Sequence, residues 1–373
     1  MNAPARYLAL DVFRGLTICL MIIVNTPGNG ATTFAPLNHA NWHGFTPTDL
    51  VFPSFLFAVG NALSFVMNKW EHMATGKVVW KILKRTFLIF LLGYLMYWFP
   101  FFSVDDSGSM VLSPIGNTRI FGVLQRIALC YGIAALMLYF LKPKATLLIT
   151  VLILVIYGPL LWLTGSGTDP LSLPTNGVLV FDRWLIGESH MYHGDGIAFD
   201  PEGFLSTFPA IANVVGGFFA GKYLQAKGKT FETLSKLLLA GFALIAIAFL
   251  WNYSLPINKK LWTSTFSILT IGIDLGVLAC VIYIIDFIHK TRWTYFFEVF
   301  GRNPLFIYLL SEVGVILLFL IPVGGISLYK WLYQNVFAFT GPYIGSLLFA
   351  ITWMLICWLI GYWMDRKRIY VKV

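Results

Sequence analysis

Ten stretches of the chain are apolar for long enough to cross a bilayer: about 8–27, 49–68, 86–104, 120–141, 145–164, 206–224, 237–254, 263–288, 303–321 and 343–363. A helix needs roughly 20 such residues to span the hydrocarbon. Lipid offers the backbone no hydrogen-bond partners, so a spanning segment must satisfy its own N–H and C=O groups, which a helix does. The runs predict an all-α, polytopic membrane protein of about ten transmembrane helices, a single domain over residues 1–373. Composition agrees, with 12% charged residues against roughly 25% in a soluble domain. The first residues lack a basic segment, apolar core and small-residue cleavage site in series, so no cleaved signal peptide is expected.

Lys and Arg orient the bundle. With the N-terminus inside, twenty of the 26 basic residues fall on the inner side, from Arg6 and Arg14 to Arg366, Lys367, Arg368 and Lys372. Five fall outside (Arg119, Arg183, Lys259, Lys260, Lys330), and Arg126 lies within a span. This positive-inside asymmetry puts both termini in the cytoplasm, across a bacterial-type inner membrane. It also explains the net charge of +9, so no nucleic-acid partner is expected. The outer loops 28–48 and 165–205, the second a long periplasmic loop, carry most of the polar chemistry. Cys19, Cys130, Cys280 and Cys357 all lie in apolar runs and read as free packing residues.

Ionisable groups inside a membrane are costly and often functional. Arg126 and Glu312 read as lining an internal cavity, with Glu312 also a candidate partner of Arg126; Asp274 reads equally as a structural partner. Asp11 and Arg14, three apart on a helix, predict a local ion pair. His39 and His43 stand four apart in LNHANWHGFTPTDL. Asn41, Gly44 and Pro47 make a helix there doubtful, and with His190 and His193 the spacing is too loose for a metal site, so none is expected. His43 and His193 read as loop histidines, and His39 as a candidate base.

Several segments then carry a resemblance: LDVFRG at 10–15, NHANWHGFTPTDLVFPSFLFAVG at 38–60, GVLQRIAL at 122–129, FDRWLIGESHMYH at 181–193, FDPEGFLST at 199–207, INKKLWTSTF at 257–266 and GRNPLFIYLLSE at 301–312. In this order they resemble the transmembrane acetyltransferase family of heparan-α-glucosaminide N-acetyltransferase and its bacterial relatives in amino-sugar use. No counterpart of the large lumenal domain that precedes the membrane part in the animal enzyme is expected here. The resemblance implies transfer of an acetyl group from cytosolic acetyl-CoA to the amine of glucosamine, or of a terminal glucosamine, on the far side. The family's active-site histidine falls on His39 and its companion asparagine on Asn25; no role is carried onto His43.

The chemistry suits those residue types. His39 can take the amine's proton, and the Asn25 amide can donate to the oxyanion. Asp49 reads equally as orienter of His39 and as cap of the second span. Arg14, Arg85, Arg302 and Arg126, with Lys81, Lys84 and Arg366, are candidates for binding acetyl-CoA. Asp182, Arg183, Asp200, Glu202 and Glu312 are candidates for the sugar, with Trp262 or Trp184 to stack on it. A homodimer is held open. Direct transfer is favoured over an acetyl-histidine. The rival readings are a secondary transporter of a sugar or small anion, and a binding subunit without turnover.

Overall fold

The computed structural model describes residues 7–104 and 109–371; Arg6 and Lys372 of the charge count lie outside them. Thirteen helices follow in these residues: α1 (Leu8–Asn25), α2 (Val51–Trp70), α3 (Thr75–Trp98), α4 (Val123–Phe140), α5 (Pro143–Thr164), α6 (Gly177–Ile186), α7 (Thr207–Lys227), α8 (Phe231–Trp251), α9 (Ser264–Ile282), α10 (Thr294–Arg302), α11 (Pro304–Leu320), α12 (Leu328–Leu332) and α13 (Pro342–Arg366). Two small antiparallel pairs, β1 (Phe102–Val104) with β2 (Met110–Leu112) and β3 (Pro322–Val323) with β4 (Ile326–Ser327), complete the elements.

Each of the ten apolar runs has its long helix. By length and apolarity alone, seven helices qualify as membrane spans among the described residues. An eighth is the pair α10 and α11, bent by 83° at a break before Pro304, where the missing N–H and the restriction on the preceding residue end one helix and start the next. α3 and α7 fall short for physical reasons. α3 starts at Thr75 rather than 86, so its first turns carry Lys77, Lys81, Lys84 and Arg85. It also ends at Trp98, and the stretch expected to stay helical to 104 becomes β1. α7 is enclosed by its neighbours and tolerates the fully buried Asn213.

Small residues let the central helices touch. A methyl at Gly60 of α2 would meet the Val214 carbonyl of α7, and one at Gly217 would meet the Phe57 carbonyl in return. Gly241 and Gly272 make the same reciprocal approach between α8 and α9, as do Gly15 and Gly301 between α1 and α10. Without a hydrophobic drive in lipid, such close backbone packing holds helices together.

The start of α1, the α10–α11 break and the end of α13 meet at one end of the bundle. There Arg14 Nε donates to the Gly301 carbonyl (2.9 Å) and Nη2 to Asp11 (2.9 Å), the local pair the spacing predicts. Arg302 pairs with Asp365 (2.6 Å) and Glu298 (2.9 Å). At the opposite end the 165–205 segment folds back as a cap with a core of its own, Leu171, Val178, Leu179, Met191 and Phe199 packing on Tyr157 and Leu161 of α5.

Candidate active site

The 28–50 connection contains only short turns, at Gly30–Thr32, Ala35–Leu37 and Pro47–Leu50. Gly44, at φ 114°, takes a conformation that a side chain would strain, and the chain doubles back around it. His39 thereby meets Asp49: Nδ1 lies 2.7 Å from Oδ1. The carboxylate is fully buried and the imidazole 44% exposed. Asp49 Oδ2 accepts from the Ala40 N–H (3.1 Å), the Thr46 N–H (3.0 Å) and the Thr46 hydroxyl (3.1 Å). One carboxylate therefore closes the turn that starts α2 and also holds His39, the two roles the sequence weighs equally and allows together. A carboxylate at Nδ1 draws the ring proton there and leaves the Nε2 lone pair available.

His39 lines a cavity of about 130 Å³ with Asn25, Thr48, Glu202 and Lys259. Asn25 ends α1, and its Nδ2 donates to Glu312 Oε1 of α11 (3.1 Å). Glu202 is supplied by the cap. Arg119 forks onto Asp200 (2.6 and 2.9 Å), reaches Glu202 (2.7 Å), and lies between the rings of Tyr97 and Tyr192. Burial alone would raise the Glu202 carboxyl, but Arg119, Arg126 and Lys259 hold it below its ordinary value. Glu202 is thus a fixed anion facing the histidine.

A larger cavity, about 340 Å³, runs between α1, α2, α3, α4 and α11. Arg14, Arg85 and Val371 line it towards the end that bears the termini, and its walls are mostly apolar. Met21 lines both cavities. Along α1, Arg14 to Asn25 is a rise of about 16.5 Å.

A sequence profile of heparan-alpha-glucosaminide N-acetyltransferase, catalytic region, matches residues 6–258. The chain belongs to that family. It is 27% identical over 370 residues to the heparan-alpha-glucosaminide N-acetyltransferase of Homo sapiens, covering 83% of this chain and 53% of the human protein. The Mus musculus protein of the same name is 27% identical over 376 residues, with 84% and 54% covered. The chain spans about half the length of the curated relatives it matches.

In this heparan-alpha-glucosaminide N-acetyltransferase family member, the structure separates the other sequence candidates. Trp262 is 1% exposed, edge-on to Phe52 and Phe266 and 4.8 Å from the Arg126 guanidinium. It offers no face to a sugar, which corrects the expectation of stacking. Trp184 is exposed on α6. Arg126 does not meet Glu312: it donates to the Gly203 carbonyl (3.0 Å) and the Ser206 hydroxyl, tying α4 to the start of α7, and lines neither cavity. Asp182 and Asp200 are fully buried. Asp182 accepts the Leu205 N–H (3.1 Å), and burial raises its carboxyl to about 7. Neither faces an open sugar site. Arg183 pairs with Glu188 on the surface (2.8 Å). Arg302 does not line the larger cavity and is already shared by two carboxylates. Asp274 is held by Ser54 alone among the described residues. Cys280 is exposed, whereas Cys19, Cys130 and Cys357 are buried.

Two residues at the site went unread in the sequence, Arg119 and Lys259. Both belong to the five basic residues on the side that should lack them. A cation that violates the charge asymmetry needs a local reason, and that exception was the available signal.

Proposed function

We propose that this chain is a membrane-embedded acetyltransferase that takes an acetyl group from cytosolic acetyl-CoA and delivers it to the amine of glucosamine, or of a terminal glucosamine, on the periplasmic side. The observation that carries the reading is the pair of cavities sharing Met21, one ending at His39 and the other at Arg14 and Arg85. The name of the human and mouse relatives supports the donor and acceptor classes, and the charge asymmetry supports the orientation. The pantetheine arm threads the larger cavity, with the CoA phosphates at the basic inner end near Arg85, and presents its thioester beside His39.

His39 Nε2 removes the proton from the attacking amine, while Asp49 fixes the ring and stabilises the imidazolium that forms. Asn25, oriented by Glu312, donates to the carbonyl oxygen with its remaining amide N–H. Glu202 attracts the acceptor's ammonium group to the chamber, where it loses one proton to solvent before the free amine attacks. Because His39 and Asn25 line one small chamber, thioester and amine react directly, without an acetyl-histidine.

Purified protein in detergent, given acetyl-CoA and a panel of amino sugars, should release free thiol only when an amino sugar is present, with the N-acetylated sugar seen by mass spectrometry. Labelled sugar that crosses proteoliposomes unchanged would favour the transporter instead. Thiol release with an acetyl mass on the His39 peptide, before sugar is added, would replace direct transfer by an acetyl-enzyme.

A further inference from the structure

We propose that Lys259 is a catalytic residue of this transfer, supplying the positive charge that stabilises the oxyanion formed at the thioester carbonyl. The inference rests on the acetyltransferase reading and adds to it a residue outside the matched stretch 6–258.

The position of the lysine is built. Its turn is locked by Asn258, which is fully buried: the Asn258 N–H donates to Thr263 Oγ1 (3.0 Å), and its side chain accepts the Leu261 N–H (2.8 Å). The Lys259 carbonyl accepts the Trp262 N–H (3.0 Å), with Trp262 itself at φ 48°. The Ile257 carbonyl, two residues before Lys259, accepts the Gly44 N–H (2.8 Å), which ties this turn to the one carrying His39. The backbone from which the side chain springs is thereby fixed.

Lys259 Nζ lies 3.0 Å from His39 Nδ1 and 3.1 Å from Nε2. An atom equidistant from both ring nitrogens cannot lie in the ring plane on that side without colliding with Cε1, so Nζ stands over the face of the imidazole. The in-plane lone pair of Nε2 remains open to an amine. The alternative is that Lys259 exists only to neutralise Asp49. Against it, Asp49 is already bonded by His39, Ala40 and Thr46 at 2.7–3.1 Å, and Lys259 is its most distant partner at 3.8 Å. Among the described residues, Nζ makes no hydrogen bond to an oxygen. Asn25 has one N–H committed to Glu312. Of the side chains lining the small cavity, Lys259 is the one that carries positive charge.

The steps balance with Lys259 protonated throughout. The amine nitrogen bonds to the acetyl carbon, and the carbonyl electron pair moves to oxygen, where the ammonium of Lys259 and the Asn25 amide receive it. His39 takes the proton from the new C–N ammonium. The oxyanion collapses, the C–S bond breaks, and CoA leaves as a thiolate that takes the proton from His39. Nζ faces His39, Asp49 and Glu202, with Lys260 and Arg126 farther off; burial pulls its ammonium below the ordinary lysine value against the two carboxylates.

The test uses the full chain in detergent, acetyl-CoA and glucosamine, with thiol release as the readout. Wild-type turnover tests the acetyltransferase reading itself, and without it the role of Lys259 falls too. Given turnover, Lys259→Met should lower kcat by about 10²–10³-fold, the usual effect of removing one oxyanion donor, with KM for both substrates little changed. Lys259→Arg should recover much of that loss and move the basic limb of the rate profile to higher pH. Should Lys259→Met fail to fold, Lys259→Cys in a Cys280→Ser background replaces it. Alkylation of that protein with 2-bromoethylamine rebuilds a cation of near-lysine length and should restore turnover. A kcat within tenfold of wild type in Lys259→Met, a change confined to KM for the sugar, or no gain on alkylation would overturn the proposal.

Discussion

Replacing Asp49 with Asn separates its two structural duties. The Oδ2 position receives three donors, the N–H groups of Ala40 and Thr46 and the Thr46 hydroxyl. An amide must place its carbonyl oxygen there, because an NH₂ group would face those donors with hydrogens. The NH₂ group then occupies the Oδ1 position, 2.7 Å from His39 Nδ1, and forces that nitrogen to accept. The ring proton moves to Nε2, and the base is lost. A wrong-tautomer histidine of this kind costs about 10⁴ in kcat in serine proteases. With His39 partly exposed here, we expect a loss of roughly 10³–10⁴. Folding should change little, since the turn before α2 keeps its acceptor; losing such a cap altogether, as in Asp49→Ala, costs about 1 kcal/mol. Thermal unfolding in detergent, together with thiol release, measures both. A stable Asp49→Asn protein with near wild-type turnover would refute the tautomer argument, and one that unfolds while Asp49→Ala does not would refute the cap argument.

Asp182 makes stability depend on pH. Its folded carboxyl is raised by burial to about 7 from an unfolded value near 4, so its stabilising contribution is complete below the unfolded value and is lost as pH rises through 7. The unfolding temperature should fall across that window, and Asp182→Asn should flatten the dependence. Glu202→Gln should raise KM for glucosamine while leaving KM for acetyl-CoA near wild type, read from initial rates; the reverse pattern would contradict its place facing the acceptor. Gly217→Val should abolish folded protein in size-exclusion chromatography, because its side chain would enter the Phe57 carbonyl of α2, and a monodisperse, active variant would show that the α2–α7 contact can relax.

The apolar runs revealed the helices because lipid leaves no other solution for the backbone. Their ends were less legible. α3 reaches back to Thr75 through a basic stretch, since long Lys and Arg side chains can snorkel from a helix end, and hydropathy registers only their charge. α6 was invisible within a polar loop because it packs on α5 and its own cap rather than in the hydrocarbon. At the site, the proximity of His39 and Asp49 could be suspected from ten residues of separation, but Lys259 lies 220 residues away and only the folded turn brings it over the ring. The sugar candidates went astray for a related reason. Asp182 and Asp200 were read as loop residues and therefore as available, whereas the 165–205 segment folds into a cap that buries them, and Trp262 packs edge-on to Phe52 and Phe266 in the main core.

Met21 has a consequence beyond the passage of an acyl chain. Its unbranched thioether side chain is a wall that both cavities share. Methionine is unbranched and changes rotamer at little cost, so the shape of each space depends on how this one side chain is turned.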